Sequence, residues 1–136
     1  MTIPRVVLDT NVFVAAHWNP RSASAAILEA ARDGSVTLCE SDAVEQETRA
    51  VLRAIRAREE FYFQAVELLL EAERVCPHTR LSVVPEDPND NKLLECAAAA
   101  GANYLITSDK HLLRIGRWDD TLIVTPGEFR RRLGLA

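Results

Sequence analysis

Apolar residues in this chain fall into short runs rich in β-branched side chains, separated by longer stretches in which they recur every three or four positions. That alternates a strand-like with a helix-like period. The first run, Arg5-Val6-Val7-Leu8, ends at Asp9 and predicts a strand. A helix is predicted from about Ser24 to Arg32, closed by Gly34, followed by a second strand over Val36 to Cys39. Ser41 and Asp42 offer N-caps for a helix reaching about Arg58. A further helical stretch runs from about Glu59 to Val75 and stops before Pro77. Leu81 to Val84 predicts a third strand, and Asp87-Pro88 opens the next helix with a capping acid and a proline at the first helical position. That leucine- and alanine-rich helix ends at Gly101; Asn103 to Thr107 and Leu122 to Thr125 predict the fourth and fifth strands, before a short basic C-terminal helix. Strands separated by helices imply right-handed crossovers. The expected fold is therefore α/β, with three layers: a central, mostly parallel sheet of about five strands flanked by helices.

Composition adds limits to this picture. With 136 residues, 48% of them hydrophobic, and no repeat or linker-like tract, the expectation is a single domain over residues 1–136. No apolar run approaches the roughly 20 residues of a membrane span, and the N-terminus lacks the order of a secretory signal. The expected location is the cytoplasm, with no membrane association. Cys39, Cys76 and Cys96 are odd in number and lack CxxC spacing, so neither a disulfide framework nor a zinc site is encoded; Cys39 and Cys96, in apolar stretches, read as core. A formal charge of -4 argues against gripping nucleic acid by bulk electrostatics. A polyanionic substrate would need local basic patches, or cations held by the acids.

Acids occur repeatedly where such a sheet gathers its ligands, beyond the carboxyl ends of the strands. Asp9 ends the first strand, Asp109 follows the fourth, Asp90 sits in the first turn of the helix after the third, and Glu45 and Glu47 lie in the opening turns of the helix after the second. Each has a structural alternative: Asp9 as a turn former, Asp90 as a partner of the helix dipole, Asp109 as the cap of a short helix. Asp9, however, stands between a buried strand and further apolar residues, where an unpaired charge is costly. Convergence favours a shared site, because three independent caps need not point to one locus.

Helix periodicity, at about 100° per residue, leaves both Glu45 and Glu47 at the edges of the stripe formed by Val44, Thr48, Val51 and Ile55. Their neighbours differ: Glu47 lies beside Ala50 and Ala54, while Glu45 can pair with Arg49 and stands three residues after Asp42, as in a capping box. Glu47 is the better candidate for a dry pocket and Glu45 for a solvated acid. Clustered carboxylates stay ionised only beside a cation, and oxygen ligands select Mg²⁺ or Mn²⁺. His17 and His78 are expected in loops, His111 adjoins Asp109 but lacks a second His or Cys at ligand spacing, and none of the three is expected to bind metal. Paired ions roughly 3.5 to 4 Å apart suit in-line displacement at phosphorus, which makes phosphodiester hydrolysis the matching chemistry.

Four segments, Val7-Leu8-Asp9-Thr10-Asn11, Glu47-Thr48-Arg49-Ala50-Val51-Leu52, Asp87-Pro88-Asn89-Asp90-Asn91 and Leu105-Ile106-Thr107-Ser108-Asp109-Lys110, resemble the PIN-domain family in order and spacing. The likeness is greatest to the bacterial toxin-antitoxin branch, small ribonucleases held inactive by a partner protein. The resemblance implies a Mg²⁺- or Mn²⁺-dependent endoribonuclease acting on RNA, with Asp9, Glu47, Asp90 and Asp109 as catalytic, metal-holding acids and Asn11 and Thr107 supporting them by hydrogen bonding. It also implies an antitoxin partner.

Arg53, Arg56, Lys92, Lys110 and Arg114 are candidate phosphate contacts near the rim, and Arg130-Arg131-Arg132 is either a further one or a favourable helix C-terminus. Phe61, Tyr62, Phe63, Val66, Leu68, Leu69 and Leu70 form a band broader than one buried stripe requires, so part of it is expected to meet a second subunit, as a homodimer, or an antitoxin helix. A phosphoaspartate enzyme of the haloacid-dehalogenase type would want an acid at position 11, which is Asn, and a phosphoreceiver domain would want an acidic pair at the end of the first strand. The alternative from another class is a PIN-like module that binds RNA or protein without cutting.

Overall fold

A computed structural model describes residues 2–77 and 88–135. The predicted strand at Leu81–Val84, the capping role of Asp87 and the placement of His78 lie outside the described residues.

The chain forms β1 (Arg5–Leu8), α1 (Thr10–Trp18), α2 (Ala23–Asp33), β2 (Thr37–Glu40), α3 (Asp42–Ala54), α4 (Glu59–Glu71), β3 (Glu73–Arg74), α5 (Pro88–Ala100), β4 (Tyr104–Ile106), α6 (Lys110–Ile115), β5 (Arg117–Trp118), β6 (Thr121–Val124) and α7 (Pro126–Leu133). The strands make one sheet in the order β3-β2-β1-β4-β6-β5. All neighbours run parallel except β5 and β6. Val6 pairs with Leu38 of β2 and with Tyr104 of β4, so β1 is central and is buried from Val6 to Leu8. Successive side chains of a strand face opposite sides. Val6 and Leu8 accordingly join one core with Phe13, Ile27, Leu52, Leu69 and Phe129, while Val7 joins a second with Leu94, Cys96, Leu105 and Leu112. The expected three-layer α/β architecture is the one observed.

Six strands are present among the described residues rather than about five, because two-residue strands extend both edges. β3 occupies residues expected to be helical. Helix propensity is weak against tertiary pairing: α4 stops at Glu71, and Glu73 and Arg74 pair with Cys39 and Glu40. Ion pairs then hold this edge, Arg5 with Glu73 and Arg74 with Glu45 and Asp42. β5 was also not expected, since two residues carry no period.

α1 is the other element absent from the sequence reading. Its residues, Thr-Asn-Val-Phe-Val-Ala-Ala-His-Trp, are apolar on most sides, so no amphipathic stripe marks it. It packs between α2 and α3, burying Val12, Phe13, Ala16 and His17. His17 is therefore not in a loop. Its Nε2 accepts the backbone N–H of Arg58 at 2.9 Å, and burial, with the nearby Arg58 charge, lowers its proton affinity. An imidazole that accepts an N–H is neutral, so this histidine ties the end of α1 to the start of α4.

Two turns, at Ser41 and Gly34, follow the sequence cues, while Thr125, expected to end the fifth strand, caps a helix instead. Ser41 caps α3 by accepting the Val44 N–H at 3.3 Å, with Asp42 as the first helical residue, so the Asp42–Glu45 capping box does not form. Thr125 caps α7, with Pro126 in its first turn. Gly34 ends α2 at φ +85°, a left-handed conformation that glycine reaches without a Cβ penalty.

Candidate active site

Strand order reverses direction at β1: β2 and β3 lie on one side, β4, β6 and β5 on the other. Connections leaving β1 and β4 diverge at such a point and open a crevice beyond the carboxyl ends of the two strands. Asp9 follows β1 and Thr107 follows β4 at this crevice.

Asp9 is 8% exposed. Its backbone N–H donates to the Ile106 carbonyl at 3.0 Å, which continues the β1–β4 ladder and fixes the Cα. The side chain caps α1, Oδ1 accepting the Asn11 N–H at 3.2 Å, and Oδ2 accepts the Thr107 hydroxyl at 2.6 Å. Thr107 is fully buried, and its Oγ1 in turn accepts the Asp109 N–H at 2.9 Å. A chain of two hydrogen bonds thus joins Asp109 to Asp9 across two strands. Thr107, expected to support the acids, hydrogen-bonds both Asp9 and Asp109 through its hydroxyl. Asn11 bonds Asp9 with its backbone N–H, the residue itself being exposed.

Asp109 caps α6 as the structural alternative required, Oδ1 accepting the N–H groups of His111 and Leu112 at 2.8 and 3.2 Å. Capping and a shared site are not exclusive, because a carboxylate has about four lone-pair positions. Asp90, in the first turn of α5, is 4% exposed. One potential ligand atom each from Asp90, Asp109 and His111 lies within 4.8 Å of the other two. Two carboxylates this close repel, and a cation relieves the repulsion together with the burial cost of Asp90.

The sequence offers His111 no second His or Cys at ligand spacing. Its neighbours in the cluster are carboxylates, one of them brought in on α5, which spacing along the chain does not reveal. Asp9 and Glu47 stand outside this group of three. Glu47 is half-buried on α3, and the adjacent Thr48 shares a hydrogen bond with Thr10 at 2.9 Å, which brings that turn of α3 against the start of α1 beside Asp9.

Glu45 is not the solvated acid its sequence neighbours suggested: its side chain is 13% exposed. The expected pair with Arg49 forms at 3.3 Å, and Arg74, delivered by β3, pairs with the same carboxylate. Two guanidiniums therefore neutralise Glu45. Beside them lies Glu40, which the sequence reading did not single out although it ends a buried strand. It is fully buried, and neither carboxylate oxygen hydrogen-bonds to another described group. Burial pushes its pKa up to about 8, against the attraction of Arg74 and with the repulsion of Glu45.

Among the candidate phosphate contacts, Lys110 and Arg114 are exposed on α6, Lys92 is half-buried on α5 and Arg56 is exposed. Arg53 is exposed, but its guanidinium donates to the Tyr62 hydroxyl at 2.9 Å. Arg130, Arg131 and Arg132 lie in the last turn of α7, and Arg132 pairs with Glu128 at 3.2 Å.

The PIN domain family model matches residues 5–111. This chain is a PIN-domain protein. The match spans the segments that carry Asp9, Glu47, Asp90 and Asp109, so the crevice between β1 and β4 belongs to the shared domain. Among curated proteins none matches. Among solved structures, this PIN domain superposes on a chain of VapBC2 from Rickettsia felis, bound to a DNA fragment from their promoter. The TM-score is 0.61 at 18% identity, over 89% of this chain and 98% of that one, a likeness of fold. No helix among the described residues is long and apolar enough to cross a membrane.

Proposed function

We propose that this PIN domain is a metal-dependent endoribonuclease and the toxin of a toxin-antitoxin pair, with Asp9, Glu47, Asp90 and Asp109 as its acidic quartet. The observation that carries the reading is the linkage of Asp9, Thr107 and Asp109 at the strand-order reversal, with the buried Asp90 carboxylate beside Asp109. A cluster of acids without an ion is expensive at that depth, and hard oxygen donors suit Mg²⁺ or Mn²⁺. When bound, the ion supplies Lewis acidity for in-line attack of water on a phosphodiester.

The residues of the chain do the positioning. Thr107 holds Asp9 in one rotamer, and α6 fixes Asp109 through two backbone N–H groups, so the carboxylates are organised before any ligand arrives. Glu47 supplies a fourth acid from α3, while Glu45 is already neutralised by Arg49 and Arg74. Lys110, Lys92 and Arg114, with Arg53 more distantly, offset the negative rim and guide the RNA backbone.

An antitoxin and a second copy of the chain are the proposed protein partners. The fold shared with VapBC2 supports a paired system, and Phe63 and Leu70, 61% and 65% exposed and two turns apart on α4, supply apolar surface for contact. The same reading treats residues 1–136 as one domain acting on RNA in the cytoplasm. Incubation of single-stranded RNA with Mg²⁺ or Mn²⁺ tests it: the protein is expected to cleave, and Asp9→Asn to fold normally yet cleave at least about a hundredfold more slowly. Equal cleavage by both proteins refutes the assignment, and binding without cleavage by the parent points to a non-catalytic module.

A further inference from the structure

We propose that His111 contributes a ring-nitrogen ligand to the ion held by Asp90 and Asp109, making a mixed nitrogen and oxygen site that favours Mn²⁺ over Mg²⁺. The inference rests on the nuclease reading above and extends its acidic quartet by a neutral donor.

Three observations carry it. One ligand atom each from Asp90, Asp109 and His111 lies within 4.8 Å of the others. Opposite ligands of a small octahedral ion stand about 4.2 Å apart, twice a bond of about 2.1 Å, so small side-chain rotations complete the site. Second, His111 Nδ1 is shielded from solvent although 38% of the side chain is exposed. It lies 3.7 Å from Asp109 Oδ1. That separation is too long for a hydrogen bond and suits two donors that share a cation. Third, the backbone of the turn is preorganised: Asp109 accepts the His111 backbone N–H at 2.8 Å, and Leu112, the next residue, is fully buried and anchors the turn.

The donor set decides the ion. Mg²⁺ takes oxygen ligands almost alone, whereas imidazole suits transition metals, and Mn²⁺ accepts both.

The test uses the full chain with MnCl₂ or MgCl₂ alone, by calorimetry and by pulsed electron paramagnetic resonance of bound Mn²⁺. The parent is expected to show ¹⁴N coupling from one imidazole. In His111→Asn that coupling is expected to vanish, with Mn²⁺ affinity falling at least about tenfold and Mg²⁺ affinity less than about threefold. Mn²⁺ bound without nitrogen coupling, or bound equally by His111→Asn, overturns the inference while leaving the carboxylate site intact. Asp90→Asn and Asp109→Asn are expected to lose Mn²⁺. Failure of the parent to bind Mn²⁺ at all overturns both this inference and the nuclease reading. If His111→Asn does not fold, the parent's spectrum alone decides.

Discussion

Glutamine at position 40 isolates the cost of one buried charge. Glu40 is fully buried and its pKa is pushed up from 4.5 to about 8, chiefly by burial, with Arg74 opposing the shift and Glu45 adding to it. Below pH 4.5 the carboxyl is neutral in the folded and the unfolded chain alike, and it costs nothing. Between 4.5 and about 8 the unfolded chain has released a proton that the folded chain retains. Stability therefore falls as pH rises through that window, by about 1.4 kcal/mol per unit, and levels off above it. By pH 7 the loss from this group is about 3 kcal/mol, and above pH 8 it is on the order of 5 kcal/mol, a large share of a small domain's stability. Glu40→Gln keeps the shape and carries no charge at any pH. Urea unfolding at pH 5, 6.5, 8 and 9 measures both proteins. They are expected to differ by no more than about 1 kcal/mol at pH 5, with the variant gaining on the parent by several kcal/mol toward pH 9. Parallel stability curves for the two proteins would refute the reasoning, because they would mean that Glu40 titrates alike in both states.

Other perturbations address single contacts. Thr107→Val removes the hydroxyl between Asp9 and Asp109 and is expected to cost about 2 kcal/mol in urea unfolding and about tenfold or more in metal-dependent cleavage; unchanged cleavage would remove Thr107 from the site. Burial pushes the Cys96 thiol up to about 12 and raises that of Cys39, while Cys76 is exposed. A thiol reagent at pH 8 should therefore titrate one of the three cysteines in the native protein, the others reacting only in denaturant. Ser41→Ala deletes the cap of α3 and is expected to lower stability by about 1 kcal/mol, read from the urea midpoint.

Elements with a repeating period were legible before any coordinates. β1, β2, β4 and β6 announce themselves as short apolar runs, and α2 and α3 by caps and stops such as Ser41 and Gly34. These signals are local, so the chain carries them whatever its tertiary surroundings. That Asp9 and Asp109 follow neighbouring parallel strands was legible too, because parallel topology follows from alternating elements and every strand then ends on the same side. Tertiary structure decided what has no local period. α1 is buried on most sides and so shows no stripe, and β3 and β5 exist only because a neighbouring strand accepts them. Arg74 reaches Glu45 through β3, which makes a neutralised pair of an acid that its own helix would leave in water. His111 meets Asp90 across α5 and α6, and Glu40 loses all its solvent to packing from both sides of the chain fold. Proton affinity and metal preference depend on distances between residues remote in sequence, and only folding sets those distances.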